Sequence, residues 1–210
     1  MKDRIRQKAN ELFRRYGVKS ITMDEIATQL GVSKKTIYQF YADKDELVEA
    51  VASEWIHFSE GCCNSYRNSC ENAIDEIFLA MDFVQELFSN MNPSMLYDLQ
   101  KFYPTAFNKF LAHKNQYLYK SIRENLERGI AEELYRDDLN LDIITKFRLE
   151  SMLMPFNIEM FPSGKFTMGE LEREILMHYL FGVASLKGHK LILKYLQRNK
   201  LESDEKKINK

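Results

Sequence analysis

Thr22-Met-Asp-Glu-Ile-Ala-Thr-Gln-Leu-Gly31-Val-Ser33, followed by Lys34-Lys-Thr-Ile-Tyr-Gln-Phe-Tyr-Ala-Asp43-Lys44-Asp-Glu-Leu47, is the stretch on which the reading of this chain turns. It reads as helix, tight turn, helix, and the start of a third helix. Thr22 followed three residues later by Glu25 has the pattern of a capping box. Ile26, Ala27 and Leu30 place one apolar stripe at helical spacing. Gly31 stops that helix, since a left-handed end residue costs glycine little. Ser33 caps a second, short helix. In it Ile37 and Phe40 point inward, leaving Lys34, Lys35, Thr36, Tyr38 and Gln39 outside. Asp43 and Glu46 form another capping pattern that opens the next helix.

Two short helices joined by a glycine-containing turn are what a DNA-reading helix-turn-helix requires. Lysines and hydroxyls hold phosphates, and Thr, Tyr, Lys and Gln reach base edges. The bland alternative is a helical hairpin with a solvated polar face. Charge distribution bears on the choice. The whole chain of 210 residues carries a formal charge of −1, yet residues 1–44 hold ten basic against five acidic side chains. A basic end on a near-neutral chain fits a DNA footprint.

The stretch, with the helix before it, resembles the DNA-binding domain of the TetR family of bacterial transcriptional regulators. The matching residues are Ala9, Leu12, Phe13, Gly17, Thr22, Ile26, Ala27, Gly31, Val32, Ser33, Thr36, Ile37, Tyr38, Lys44 and Leu47. The resemblance implies DNA contacts from Thr22, Ser33, Lys34, Lys35, Thr36, Tyr38, Gln39, Tyr41 and Lys44. It departs from the family pattern at Phe40 and Tyr41, where the phenol sits one position late.

Apolar stripes at three- and four-residue spacing recur along the chain, with only four prolines and eight glycines, so an all-α fold is expected. The expected organisation is a helix-turn-helix domain over 1–47, a helical ligand-binding and dimerisation domain over 48–200, and a charged, disordered tail over 201–210. The first helix should span about Lys2 to Tyr16. The helix opened at Lys44 runs on without a break, as a rod between the domains. A single long helix is expected from about Thr167 past Leu196.

The second domain is rich in Met and aromatic residues. Phe78, Met81, Phe102, Tyr103, Phe107, Phe110, Tyr117, Met152, Met154 and Phe156 either line an apolar cavity or simply fill a core. TetR-like regulators generally carry a pocket there, so the resemblance implies a small apolar or amphipathic effector, whose identity it does not give. It also implies repression relieved by that effector; a regulator with a filled core, constitutive or controlled by a partner, is the rival reading. Gly182, Ser185 and Gly188 recur every three residues, a spacing suited to close helix approach across a homodimer axis.

No Gly-rich phosphate loop, nucleophile elbow or metal-ligand cluster occurs, so no catalytic residue, cofactor or metal is expected. Cys62, Cys63 and Cys70, odd in number and closely clustered, make a poor disulfide framework. No apolar run approaches the ~20 residues a bilayer needs. The chain opens directly on a charged amphipathic helix, and a cytoplasmic protein is expected.

Overall fold

The computed structural model describes residues 1–89, 91–162 and 164–208, with side chains through residue 199. Eleven α-helices occur among the described residues, and the fold is all-α as the periodicity implies. An isolated antiparallel β-bridge joins Tyr135 and Ala184.

Three helices build the N-terminal head: α1 (Lys2–Tyr16), α2 (Met23–Leu30) and α3 (Lys34–Tyr38). Ile5, Ala9, Leu12 and Phe13 of α1 meet Ile26, Ala27 and Ile37 in one small core, closed by Leu47, Val48 and Val51. Those last three belong to α4 (Lys44–Ser69), which leaves the head without interruption. The polar stretch from Cys62 onward continues this helix to Ser69; only at Cys70, where the backbone turns extended, does it stop.

The second domain follows as α5 (Ala73–Phe88), α6 (Met95–Phe102), α7 (Pro104–His113), α8 (Tyr119–Ala131), α9 (Leu141–Ser151), α10 (Met168–Val183) and α11 (Leu186–Ile208). A π-helical turn, Lys114–Leu118, joins α7 to α8 in one continuous rod. A short 3-10 turn at Met154–Phe156 follows α9, so Pro155 lies beyond that helix rather than inside it. Thr167 and Glu170 form a complete capping box at the start of α10.

The single long C-terminal helix expected from about Thr167 is two helices. At Ala184 the backbone is extended, and the break is filled by a turn from far upstream. Arg136 N–H donates to Val183 O at 2.9 Å, and Ser185 N–H donates to Leu134 O at 2.9 Å. Ser185 Oγ then accepts Gly188 N–H at 3.1 Å, starting α11 afresh. No Pro or Gly follows Gly188. The helix accordingly runs to Ile208, across most of the segment expected as a disordered tail; residues 209 and 210 lie outside the described ones.

A second core of Ile74, Phe78, Met81, Leu126, Leu176 and Leu180 binds α5, α8 and α10 together. The head is seated on this domain at Gly17, whose φ of +86° and lack of a side chain admit α6. A Cβ there would stand 2.9 Å from Ser94 Oγ and 3.1 Å from Asp98 Oδ2. Asp98 Oδ2 in turn accepts Lys19 N–H at 2.9 Å. Asn92 N–H donates to Arg14 O at 2.6 Å, and the Arg14 guanidinium donates to Leu87 O.

Candidate DNA-reading face and effector cavity

The local chemistry of the head follows the expected pattern closely. Thr22 Oγ1 accepts Glu25 N–H at 3.1 Å, although Glu25 makes no reciprocal bond back to Thr22 among the described residues. Gly31 sits in the left-handed region, φ 67° and ψ 31°. Ser33 Oγ accepts Thr36 N–H at 3.1 Å and lies 2.9 Å from Thr36 Oγ1. Asp43 Oδ1 accepts Glu46 N–H at 2.8 Å, while Glu46 Oε2 takes Ala42 N–H at 2.6 Å, one residue earlier than a regular capping box.

These caps present one polar face. Thr22, Ser33, Lys34, Lys35, Tyr38 and Gln39 are exposed, with Thr36 partly so. Lys34 Nζ pairs with Asp24 Oδ2 at 2.7 Å and lies 6.0 Å from the centre of the Tyr38 ring. The hydrogen bond to Asp24 holds the Lys34 pKa above the ordinary lysine value. Tyr38 is 43% exposed and projects from α3.

Two of the expected contacts lie elsewhere. Tyr41 is 1% exposed and belongs to the head core; its hydroxyl has no partner among the described residues, and burial raises its pKa. The reason is helical phase: Tyr41 N–H closes onto Ile37 O at 3.1 Å, which places the phenol one turn beyond the buried Ile37. Lys44 points back into the protein, donating from Nζ to Val18 O at 2.6 Å and to Lys19 O at 3.4 Å. Desolvation there pulls its pKa below the ordinary value.

A largely apolar cavity of about 230 Å³ lies between the head and the second domain. Its wall takes Phe13, Arg14 and Val18 from the head, Val51 and Trp55 from α4, and Phe83, Val84, Leu87 and Phe88 from α5. The far side is supplied by Phe110, Leu118, Ile122, Leu149, Met152, Phe156 and Leu176, with Glu76, Lys114, Asn125, Arg148 and Glu172 as polar members.

Of the residues singled out from sequence, Phe110, Met152 and Phe156 line this cavity; Phe78, Met81, Phe102, Tyr103, Phe107, Tyr117 and Met154 do not. Phe78 instead stacks on Tyr195 of α11 with ring centres 5.0 Å apart, and Met81 shares that second core. Tyr103 and Phe107 pack against the head core, Lys19 Nζ lies over the Phe102 ring, and Tyr117 donates to Glu60 O at 3.0 Å. The residues missed, Trp55 and the α5 group, lie at helical spacing in the sequence, but only their convergence with α1 makes a cavity.

His113 is buried at the start of the π turn. Its Nδ1 is 3.1 Å from Glu60 Oε1, Tyr117 stacks on its ring, and burial lowers its pKa despite that carboxylate. Cys63 is held protonated, its pKa pushed up to about 11 by burial. No group of three metal-ligating side chains occurs among the described residues. None of the helices in them is long and apolar enough to cross a membrane.

The three residues expected at a dimer contact divide. Gly182 is exposed, with open space where a Cβ would stand. Ser185 Oγ donates to Glu133 O at 2.7 Å. A Cβ on Gly188 would stand 2.0 Å from Leu134 O, so this glycine serves packing within the chain. Leu186, 86% exposed, and Leu193, 52% exposed, are large apolar side chains open on α11.

Comparison with known proteins agrees with this geometry. Residues 5–51 match the family described as bacterial regulatory proteins, tetR family. The uncharacterized HTH-type transcriptional regulator YvaF of Bacillus subtilis is 30% identical over 89 residues, 42% of this chain and 47% of that protein. The match therefore spans about half the length of that relative. The HTH-type transcriptional repressor KstR2 of Mycolicibacterium smegmatis is 21% identical over 198 residues, covering 90% of this chain and 93% of that one. Among solved structures, a TetR-family transcriptional regulator from Agrobacterium tumefaciens superposes with a TM-score of 0.71 at 16% identity, covering 88% of this chain and 97% of that one. The ketosteroid transcriptional regulator KstR2 of Mycobacterium tuberculosis gives 0.60 at 17% identity, with 88% and 95% covered.

Proposed function

Because this chain belongs to the TetR family of bacterial transcriptional regulators, we propose that it is a cytoplasmic repressor that binds a palindromic operator as a homodimer and is released by a small apolar or amphipathic molecule. The observation that carries the release step is the reach of the cavity. It touches Phe13, Arg14 and Val18 of the head as well as the helices of the second domain. An occupant lies against both bodies at once. Between them stand few joints: α4 is unbroken, and Arg14 is bonded to Leu87 and Asn92.

Reading two half-sites requires the two α3 helices to stand about one duplex turn apart, ~34 Å. A ligand that prefers a different seating of α1 against α5 shifts that separation, by no more than its differential affinity for the two arrangements. Lys34, Lys35, Thr36, Tyr38 and Gln39 are the reading residues, with Thr22 and Ser33 at the flanking helix starts. Support for a dimer comes from the open face of α10 and α11 at Gly182, Leu186 and Leu193, a surface suited to a four-helix contact across a two-fold axis.

The test is operator affinity measured with and without a compound that calorimetry shows to bind the protein. A clear loss of affinity at saturation is expected. Unchanged affinity would establish the rival, a regulator that needs no small-molecule inducer; equal affinity for cognate and scrambled duplexes would remove the repressor reading altogether.

A further inference from the structure

The polar members of the cavity wall differ in one respect: most have partners. Asn125 Nδ2 donates to Glu76 Oε2 at 2.9 Å and to Ala73 O at 3.0 Å, while its Oδ1 accepts from Tyr135 at 3.1 Å. Lys114 Nζ donates to Glu150 Oε1 at 2.7 Å. Between α9 and α10, Arg148 Nη2 donates to Glu172 Oε1 at 2.6 Å, its Nη1 reaches Ser151 Oγ at 3.4 Å, and the guanidinium lies over the Tyr179 ring at 5.7 Å. Glu172 is left half-used. It is 3% exposed, and its Oε2 has no hydrogen-bond partner among the described residues.

A buried carboxylate oxygen without a donor is unfavourable, and a donor brought to it recovers a charge-assisted hydrogen bond. We propose that the effector is an elongated, mainly hydrocarbon molecule carrying a hydrogen-bond donor, a hydroxyl or protonated amine, that is received by Glu172 Oε2 in the cavity. This rests on the ligand-release reading above for its regulatory meaning, but not for the binding itself. The apolar wall takes the hydrocarbon; at about 230 Å³ the space exceeds the ~150 Å³ apolar cavity that admits benzene. Arg14 Nε and Trp55 Nε1, also unpartnered, are donors supplied by α1 and α4 and ask for an acceptor elsewhere along the same molecule.

An anionic ligand fits poorly at Glu172. To reach Arg148 it would displace the Glu172 carboxylate, leaving a buried charge without its partner. Lys114 offers an anion another seat, because its partner Glu150 is mostly exposed and can turn to solvent. The experiment separates the two.

Titration calorimetry on the full chain with decanol, decylamine, decanoate and decyl methyl ether holds the hydrocarbon constant and varies the head group. Decanol and decylamine are expected to bind about tenfold or more tighter than the ether, the size of one hydrogen bond to a charged group. Decanoate should bind no tighter than the ether. In the double variant Arg148→Met, Glu172→Met, which removes both charges at similar volume, alcohol and ether should become equal. Decanoate binding tightest, ether matching alcohol in the unaltered protein, or no binding by any of the four would each overturn the proposal. Because no DNA enters this assay, tight alcohol binding without any effect on operator affinity would sink the release mechanism and leave the ligand class standing.

Discussion

The ammonium of Lys44, first residue of α4, donates to the carbonyl of Val18 at 2.6 Å while lying 5.4 Å from the centre of the Tyr103 ring. One side chain thereby ties the α1–α2 connection, the rod and the second domain together. A lysine expected to hold a phosphate is here engaged within the protein. Lys44→Met is expected to lower stability by about 1–2 kcal/mol, the loss of a charged donor from a part-buried carbonyl. Thermal melts check this. Salt titration of operator binding should show an unchanged slope, whereas Lys34→Ala or Lys35→Ala should each reduce it by about one. A slope reduced equally by Lys44→Met would return that residue to the DNA face.

Asp24 holds Lys34 at 2.7 Å and competes with any phosphate for it. Asp24→Asn should therefore strengthen binding to all duplexes severalfold at low salt, with the gain fading as the Debye length shrinks toward ~8 Å near 0.15 M. Fluorescence anisotropy at two salt concentrations, on cognate and scrambled DNA, measures it.

Gly129 and Gly188 are close-approach positions, and Gly182 is not. A Cβ on Gly129 would stand 2.0 Å from the Tyr135 ring, and one on Gly188 the same distance from Leu134 O. Gly129→Ala and Gly188→Ala should each cost about 1–3 kcal/mol through overpacking. Gly182→Ala meets no atom of its own chain, so it should cost the least of the three through packing within the chain. Denaturant midpoints of the three variants give the ranking directly.

His113 predicts a pH dependence. Burial holds its folded pKa below the ordinary 6.5, with Glu60 opposing the shift only in part. Between the folded value and 6.5 the unfolded chain binds more protons, so stability is full above 6.5 and declines as pH falls through that window. Calorimetric melts at pH 5.5 and 7.5 should show the decline, and His113→Gln should reduce it. An identical decline in the variant would assign it to other groups.

Leu186 and Leu193 lie seven residues apart on α11, two turns along one exposed face, with Gly182 open on α10. Leu186→Glu should convert dimer to monomer at micromolar concentration in sedimentation experiments, and operator binding should weaken with it. A wild-type monomer under the same conditions would discard the dimer.

The head was legible in the sequence because its instructions are local. Thr22, Ser33 and Asp43 each accept from an amide three residues away, and Gly31 needs only its own φ. The break at Ala184 was not legible, since Leu134 and Arg136, some fifty residues upstream, supply its hydrogen bonds. The cavity was partly legible for a related reason. Met81 and Val84 are three residues apart on α5 and equally apolar, yet Met81 faces the second core and Val84 the cavity. Periodicity finds a buried face; it does not say which neighbour the face meets. Tyr41 was misplaced by the same ambiguity, one residue of phase exchanging surface for core.

The π turn at Lys114–Leu118 acts as a change of gear in a single shaft. Before it, Ala106 is set into the core of the reading head; after it, Leu126 is set into the core of the second domain. An extra residue in a helical turn offsets the α phase by about 100°, so one unbroken backbone meshes with two sets of neighbours. Deleting one residue there would straighten the phase without breaking the rod, and would leave one end or the other aimed at the wrong partner. The phase between the head core and the second core is thus set by backbone count as well as by side chains, and deleting one residue within Lys114–Leu118 is expected to lower the melting temperature more than a substitution at the same place.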